Sequence, residues 1–442
     1  MHTFEELRKD YQSFVFRGFE DEYTKEGLEV RFFYEIPRLE TFTTRWVFPA
    51  GEKKEGPILE RLLFALGMVE GISYYKCACP PELVYECGSL SDEAAGWWRE
   101  LYFNGLGEFL YINGIDVPDS AQLVREFTGR REEISPIHDS ASYSGILVPV
   151  GGGKDSVVSL EVLGGEDITA YTVNAGQAQK SCIESCSHCR GHLNAKRILD
   201  KKILEMNEKG YLNGHIPFSA VLAFSAYITA YLNGIKYIAL SNENSANEST
   251  VRDSKVNHQY SKSYEFEVYF RDYVKALTDS DIYYFSLLRP LSELQIAAIF
   301  SKKKQYHRVF RSCNAGSKKG IWCGRCAKCM FVYIILSPFL SIKELDEIFG
   351  RDLLDCEDMD RFFCELSGID ENKPFECVGT RAEVLACLGA ALKGEGADRL
   401  LLNRHRDFIE KNAPSLPGLL GEWNEQHGVP EAFAKKIRAE LA

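Results

Sequence analysis

The chain has 442 residues, of which 45% are hydrophobic, 12% aromatic and 26% charged, the balance of a folded globular protein with room for two or three domains. Its 52 basic and 64 acidic side chains leave a net charge of −12, which argues against nucleic acid as the main partner because neutralising phosphates needs a basic footprint. The opening MHTFEELRKDYQSF is not a secretory signal, and no run of about 18 apolar residues follows to span a membrane. A cytoplasmic protein is expected, and its 14 cysteines then read as thiols and metal ligands rather than disulfides.

In chain order, residues 1–140 are expected to form an N-terminal α+β domain. LEVRFFYEI and TFTTRWVFPAG have the alternation and aromatic content of strands. GPILERLLFALGMVE and DEAAGWWRELYFNGLGEFLY carry apolar residues at helical spacing. REEISPIHDSASYSG is polar and reads as a linker. Residues 141–336 change texture: GILVPV, ITAYTV, IKYIAL and IYYFSLL are short strands separated by helical stretches such as DSVVSLEVL and AVLAFSAYITAYL. That alternation predicts an α/β fold, a parallel sheet wrapped by helices. Residues 337–442 read as a small helical region, including AEVLACLGAALKG and EAFAKKIRAELA.

Between a buried strand and a helix lie Gly151, Gly152, Gly153, Lys154, Asp155 and Ser156. Three glycines let backbone N–H groups approach an anion, and the helix that follows aims its positive end at the same point. Ser156 and Lys154 can add a hydroxyl donor and a charge, while Asp155 can orient the loop or hold Mg²⁺. A Walker A loop is excluded because Lys154 is followed by Asp155, not Ser or Thr. The segment resembles the SGGxDS loop of the PP-loop ATP pyrophosphatases, with Gly151 in place of the first serine. That resemblance implies ATP binding through its pyrophosphate portion and transfer of AMP to a substrate oxygen.

Cys313, Cys323, Cys326 and Cys329 follow the pattern C-x9-C-x2-C-x2-C, which suits a tetrahedral, four-thiolate structural Zn²⁺ with no open position. Gly324 eases the turn between ligands. The pattern is similar to the zinc motif of 7-cyano-7-deazaguanine synthases, themselves PP-loop enzymes. Cys182, Cys186 and Cys189, with His188 and His192 nearby, have spacing compatible with a second metal site or with plain thiols.

IKYIAL runs directly into the polar stretch beginning Ser241-Asn242-Glu243, and parallel α/β sheets bind ligands at the carboxyl ends of their strands. Glu243, Lys255 and His258 are therefore the first candidates for proton transfer and phosphate binding. Lys76, Cys77, Cys79 and Cys377 are the alternatives, thiolates being competent bases. KPFECVGT is a candidate loop that closes on substrate.

Taken together, LLFALGMVEGISYYKCACPPELV, GLGEFLYINGID, VPVGGGKDSVVSLE, NGHIPFSAVLAF, ALSNENSANEST, VNHQYSKSYEFE, FSLLRPLSELQIA and WCGRCAKCMFVYIILSPFL resemble the UDP-N-acetylmuramoyl-L-alanyl-L-glutamate epimerases. The resemblance spans residues from about 60 to 380 and implies ATP-dependent inversion of the terminal L-Glu of UDP-MurNAc-L-Ala-L-Glu, through an acyl-adenylate, with release of AMP and pyrophosphate. The competing readings are another adenylylating PP-loop enzyme, such as an amide or nitrile synthase or a tRNA thiolase, and a nucleotide-binding regulatory module. A nitrile synthase is shorter than this chain, and a tRNA thiolase needs a basic face.

Overall fold

The computed structural model describes residues 2–247, 259–317, 319–374, 376 and 378–441. The chain is α/β, with a mostly parallel sheet, helices that wrap it and a helical C-terminal region. Among the described residues the strands are β1 (Ser13–Thr24), β2 (Gly27–Ile36), β3 (Glu40–Phe48), β4 (Glu82–Tyr85), β5 (Glu126–Thr128), β6 (Ile137–His138), β7 (Ser144–Pro149), β8 (Ile168–Val173), β9 (Cys189–Ile198), β10 (Ile235–Leu240), β11 (Thr278–Asp279) and β12 (Tyr283–Ser286). No helix among these residues is long and apolar enough to cross a membrane. Two compact units divide the chain: Met1–Leu147 with Leu193–Ile238 and Gln259–Tyr284, and Val148–His192 with Ala239–His258 and Phe285–Ala442.

The first unit holds the strand order β9-β3-β2-β1-β4-β5, with β1, β2 and β3 antiparallel and β4 and β5 parallel to β1. β2 alternates strictly, so Leu28, Val30, Phe32, Tyr34 and Ile36 all fall on the buried face, as a half-buried strand requires. The helix Pro57–Glu70 begins with proline at its first turn and is buried along most of its length. Its Gly67 lies where a Cβ would stand 2.2 Å from the Phe16 ring, so only glycine lets the helix backbone approach the aromatic face so closely. The same helix ends in the fully buried Glu70, which accepts from both Nη2 (2.6 Å) and Nε (2.9 Å) of Arg197 on β9 and from Trp46 Nε1 at 3.0 Å. Removing one partner of such a pair strands a buried charge and typically costs about 3–5 kcal/mol.

β7, β10 and β12 each begin in the first unit and end in the second. Their carboxyl ends therefore all belong to the second unit, within the strand order β12-β10-β7-β8-β9. Val150 N–H donates to the Tyr171 carbonyl at 2.8 Å, and Leu287 N–H to the Leu240 carbonyl at 2.7 Å. The helix Ala327–Leu336 has all ten residues buried, so it is a core helix of this unit. The C-terminal helices are punctuated by local chemistry: Ser341 with Glu344 and Thr380 with Glu383 form capping boxes, and Gly350 and Gly368 end helices in left-handed geometry, each satisfying terminal backbone groups.

Candidate active site

The glycine loop follows β7 and opens the helix Lys154–Val162, for which Gly153 is the N-cap. Gly152 has φ +84°, and a Cβ there would lie 3.1 Å from both Ala178 Cβ and the Gln179 nitrogen. Its carbonyl accepts from Arg311 N–H at 2.7 Å and from Cys182 Sγ at 3.6 Å, which fixes the loop from outside. Ser156 Oγ donates to the Gly153 carbonyl at 3.0 Å. At Gly151 a Cβ would meet nothing within 4 Å, so the mouth of the cradle is open. Gly152→Ala is expected to cost about 1–2 kcal/mol for the left-handed backbone alone. A fall of about 2–8 °C in the thermal midpoint would register it, and an unchanged midpoint would contradict the geometry.

Beneath the loop lies a buried charge cluster. Lys154 is only 2% exposed; its Nζ pairs with Asp155 Oδ1 at 2.5 Å and with Glu293 Oε2. Burial opposes the Lys154 charge, but the Asp155 and Glu293 carboxylates outweigh it and hold the ammonium protonated. Burial also pushes the Glu293 carboxyl up to about 8, against the pull of Lys154 and with the help of the Asp155 and Glu243 charges, while Lys328 draws it down. A carboxyl that exchanges its proton near neutrality is suited to general acid–base chemistry.

The charges that act on Glu293 come from the helix after β7, the segment after β10 and the helix Ala327–Leu336. Glu243 follows β10 and is 6% exposed; its Oε1 accepts from Ser245 Oγ at 2.7 Å and its carbonyl from Arg289 Nη1 at 2.7 Å. Ser241 and Ser159 share a hydroxyl contact of 2.8 Å, and Asn242 Nδ2 donates to Ser286 Oγ at 3.0 Å. Glu293 itself opens the helix Glu293–Ser301, capped by Ser292. From the KPFECVGT stretch, Gly379 packs so that a Cβ would stand 3.2 Å from Glu293 Cβ, and Glu383 accepts from Leu294 N–H at 3.1 Å.

Of the residues singled out from sequence, Glu243, Lys154 and Asp155 thus gather around Glu293, while Lys255, His258 and Cys377 lie outside the described residues. Lys76, Cys77 and Cys79 belong to the first unit. There Lys76 Nζ donates to Asn213 Oδ1 at 2.8 Å and the Gly214 carbonyl at 2.7 Å, and burial pushes the Cys77 thiol up to about 12. Glu293 and Lys328 are the members that sequence reasoning did not single out. Glu293 reads locally as a first-turn helix acid beside a Ser292–Gln295 capping box, and Lys328 hides between two zinc-type cysteines.

Those cysteines converge. Sγ of Cys313 and Cys326 are 3.6 Å apart, as are Cys323 and Cys329, and Cys326 and Cys329 are at 3.5 Å. All four donor atoms lie within 4.8 Å of one another. Zn–S bonds of about 2.3 Å in a tetrahedron require S···S separations of about 3.8 Å, so the set fits Zn²⁺ with little adjustment. Gly324 takes φ +64° in the turn, and Arg351 Nη2 donates to its carbonyl at 2.7 Å. The N–H groups of Gly316 and Arg325 point at the Cys313 and Cys323 sulfurs, 3.2 and 3.4 Å away. Cys182, Cys186 and Cys189 behave differently. Their sulfurs go separately to the Gly152 carbonyl, the Tyr306 hydroxyl and the Gly191 carbonyl.

Comparison with known proteins gives two matching family models, the MurL N-terminal domain over residues 5–287 and the MurL C-terminal domain over residues 308–415. The chain is similar to three proteins named UDP-N-acetyl-alpha-D-muramoyl-L-alanyl-L-glutamate epimerase. It is 34% identical to that of Xanthomonas oryzae pv. oryzae, covering 87% of each chain. It is 37% identical to that of Micromonospora sp., covering 86% of each, and 38% identical to that of Salinispora tropica, covering 76% of this chain and 74% of the relative. With both MurL domains matched in sequence and these identities sustained over most of its length, the chain belongs to the MurL family.

Proposed function

We propose that this chain inverts the terminal L-Glu of UDP-MurNAc-L-Ala-L-Glu to D-Glu in peptidoglycan precursor synthesis, in the cytoplasm, at the cost of ATP. The observation that carries the reading is the open glycine cradle at a helix N-terminus, set directly on the Lys154–Asp155–Glu293 cluster, of which Lys154 and Glu293 are buried. The names of the relatives supply the substrate.

Chemistry explains why an epimerase would need a nucleotide cradle. The carboxylate beside Cα opposes a second negative charge there, so the Cα–H is very weakly acidic. Transfer of AMP to that carboxylate removes its charge and leaves a carbonyl able to accept enolate density. The N–H groups of Gly151–Gly153 and the Lys154 helix end would hold the phosphates, with Ser156 beside them. Asp155 supplies hard oxygen donors of the kind Mg²⁺ takes, and the ion would neutralise phosphate charge there. Glu293 is the acid–base group we favour, with Glu243 as its neighbour. Lys255 and His258, which follow Glu243 in the same chain segment, remain proposed partners for the opposite face of Cα. General acid–base groups and donors to a developing oxyanion each contribute about 10²- to 10⁴-fold. Pyrophosphate would leave as the acyl-adenylate forms, and hydrolysis of the adenylate after inversion would release AMP and the free acid to complete the cycle. The four-thiolate site would hold a structural Zn²⁺ with no open position for substrate.

In deuterated water, the D-Glu product is expected to carry one deuterium at Cα, read by mass spectrometry. Product without label would eliminate proton exchange as the route to inversion.

A further inference from the structure

The C-terminal helices carry a second convergence of metal-type donors. The helix Asp360–Ser367 places Asp360 and Cys364 one turn apart on the same face. His405 sits at the junction of the helices Leu400–Arg404 and Arg406–Asn412. Its Nε2 is 2.8 Å from Asp360 Oδ1 and 3.8 Å from Cys364 Sγ, and all three donor atoms lie within 4.8 Å of one another.

The surroundings hold these donors in place. The imidazole stacks on Phe363 with centroids 5.0 Å apart and an interplanar angle of 19°. Arg404 Nη1 takes the other oxygen of Asp360, Oδ2, at 3.3 Å, and Arg404 Nη2 reaches Glu357 at 2.5 Å. The carboxylate is thereby turned so that Oδ1 faces the ring. Cys364 is tied at the helix end, where its carbonyl accepts from Gly368 and Asp370 N–H at 3.2 and 3.1 Å. A plain Asp–His ion pair accounts for the carboxylate and the ring, but not for a thiol directed at the same nitrogen. Around a tetrahedral zinc ion, bonds of about 2.0–2.3 Å set N···S near 3.5 Å and N···O near 3.3 Å. The observed 3.8 and 2.8 Å bracket those values, so a small rotation of the ring would bring all three donors to bonding distance.

We propose that Asp360, Cys364 and His405 form a second divalent-cation site of the zinc class, separate from the four-cysteine cluster. One thiolate and one imidazole favour Zn²⁺ over the oxygen-seeking Mg²⁺ and Ca²⁺. Three protein donors leave a fourth position for water or a small anion, unlike the closed four-thiolate set. An ion here would displace the thiol proton and the proton shared by Nε2 and Oδ1, and would join the helix Asp360–Ser367 to the Leu400–Asn412 segment.

The test is a titration of the metal-free, full-length chain with Zn²⁺ against a chromophoric chelator, counting equivalents bound. Cys364→Ser and His405→Gln should each bind one equivalent fewer than the unmodified chain. An equal number in all three would overturn the site. Should either variant fail to fold, the unmodified chain decides alone. Zn²⁺ should slow alkylation of Cys364 by about tenfold or more, followed by peptide mass spectrometry. Alkylation at the same rate with and without Zn²⁺ would overturn the proposal.

Discussion

Glu293→Gln is expected to slow epimerisation by about 10²- to 10⁴-fold while leaving the fold intact. The substitution keeps the size of the side chain and leaves Lys154 paired with Asp155, so the loss isolates the proton-carrying capacity of the carboxyl. The same residue makes a pH prediction. Its carboxyl is raised by burial from the ordinary glutamate value of 4.5 to about 8, so the folded chain binds a proton that the unfolded chain releases earlier. A group raised in this way contributes stability that is fully present below about 4.5 and is lost as pH rises through about 8. The wild-type thermal midpoint should therefore fall as pH rises from about 4.5 to about 8, and Glu293→Gln should flatten that fall. If the ionised form is the base, the wild-type rate should climb as pH rises through about 8. A variant that turns over at the wild-type rate would remove Glu293 from the chemistry.

The second large effect concerns the four-cysteine cluster. Stripping metal with a strong chelator, or Cys326→Ser, is expected to lower the thermal midpoint by roughly 10 °C or more, because structural zinc contributes about 10–16 kcal/mol of apparent binding energy. The structural reason is local. Cys326 caps the helix Ala327–Leu336, Cys329 lies inside it, and that helix is buried along its whole length. Loosening its start exposes core. Differential scanning calorimetry before and after chelation measures the effect, and superimposed transitions would exclude a structural metal.

What the sequence made legible was chemistry carried by near neighbours. The glycine loop and the four cysteines are contiguous or nearly so, and strands such as β2 and β8 announce themselves by alternation or by a bounded apolar run. Elements without that signal stayed hidden. β9 is a half-exposed strand rich in Arg, His and Lys, held by the Glu70–Arg197 pair between residues 127 positions apart. No local pattern marks it. Glu293 was hidden for the same reason: its partner Lys154 is 139 positions away, and its own neighbourhood reads as an ordinary helix start. The triplet Cys182, Cys186 and Cys189 illustrates the reverse. Its spacing suggests ligands, yet Cys182 lies in the helix Gln177–Glu184 and Cys189 on β9, so the sulfurs diverge.

Everything in the proposed reaction depends on the nucleotide being split between its α- and β-phosphates at the glycine cradle. The direct measurement is a nucleotide and product balance with Mg-ATP and UDP-MurNAc-L-Ala-L-Glu. AMP and pyrophosphate should appear together, only when the dipeptide substrate is present, and in step with D-Glu product. Inversion without nucleotide consumption, or conversion of ATP to ADP and phosphate, would contradict it.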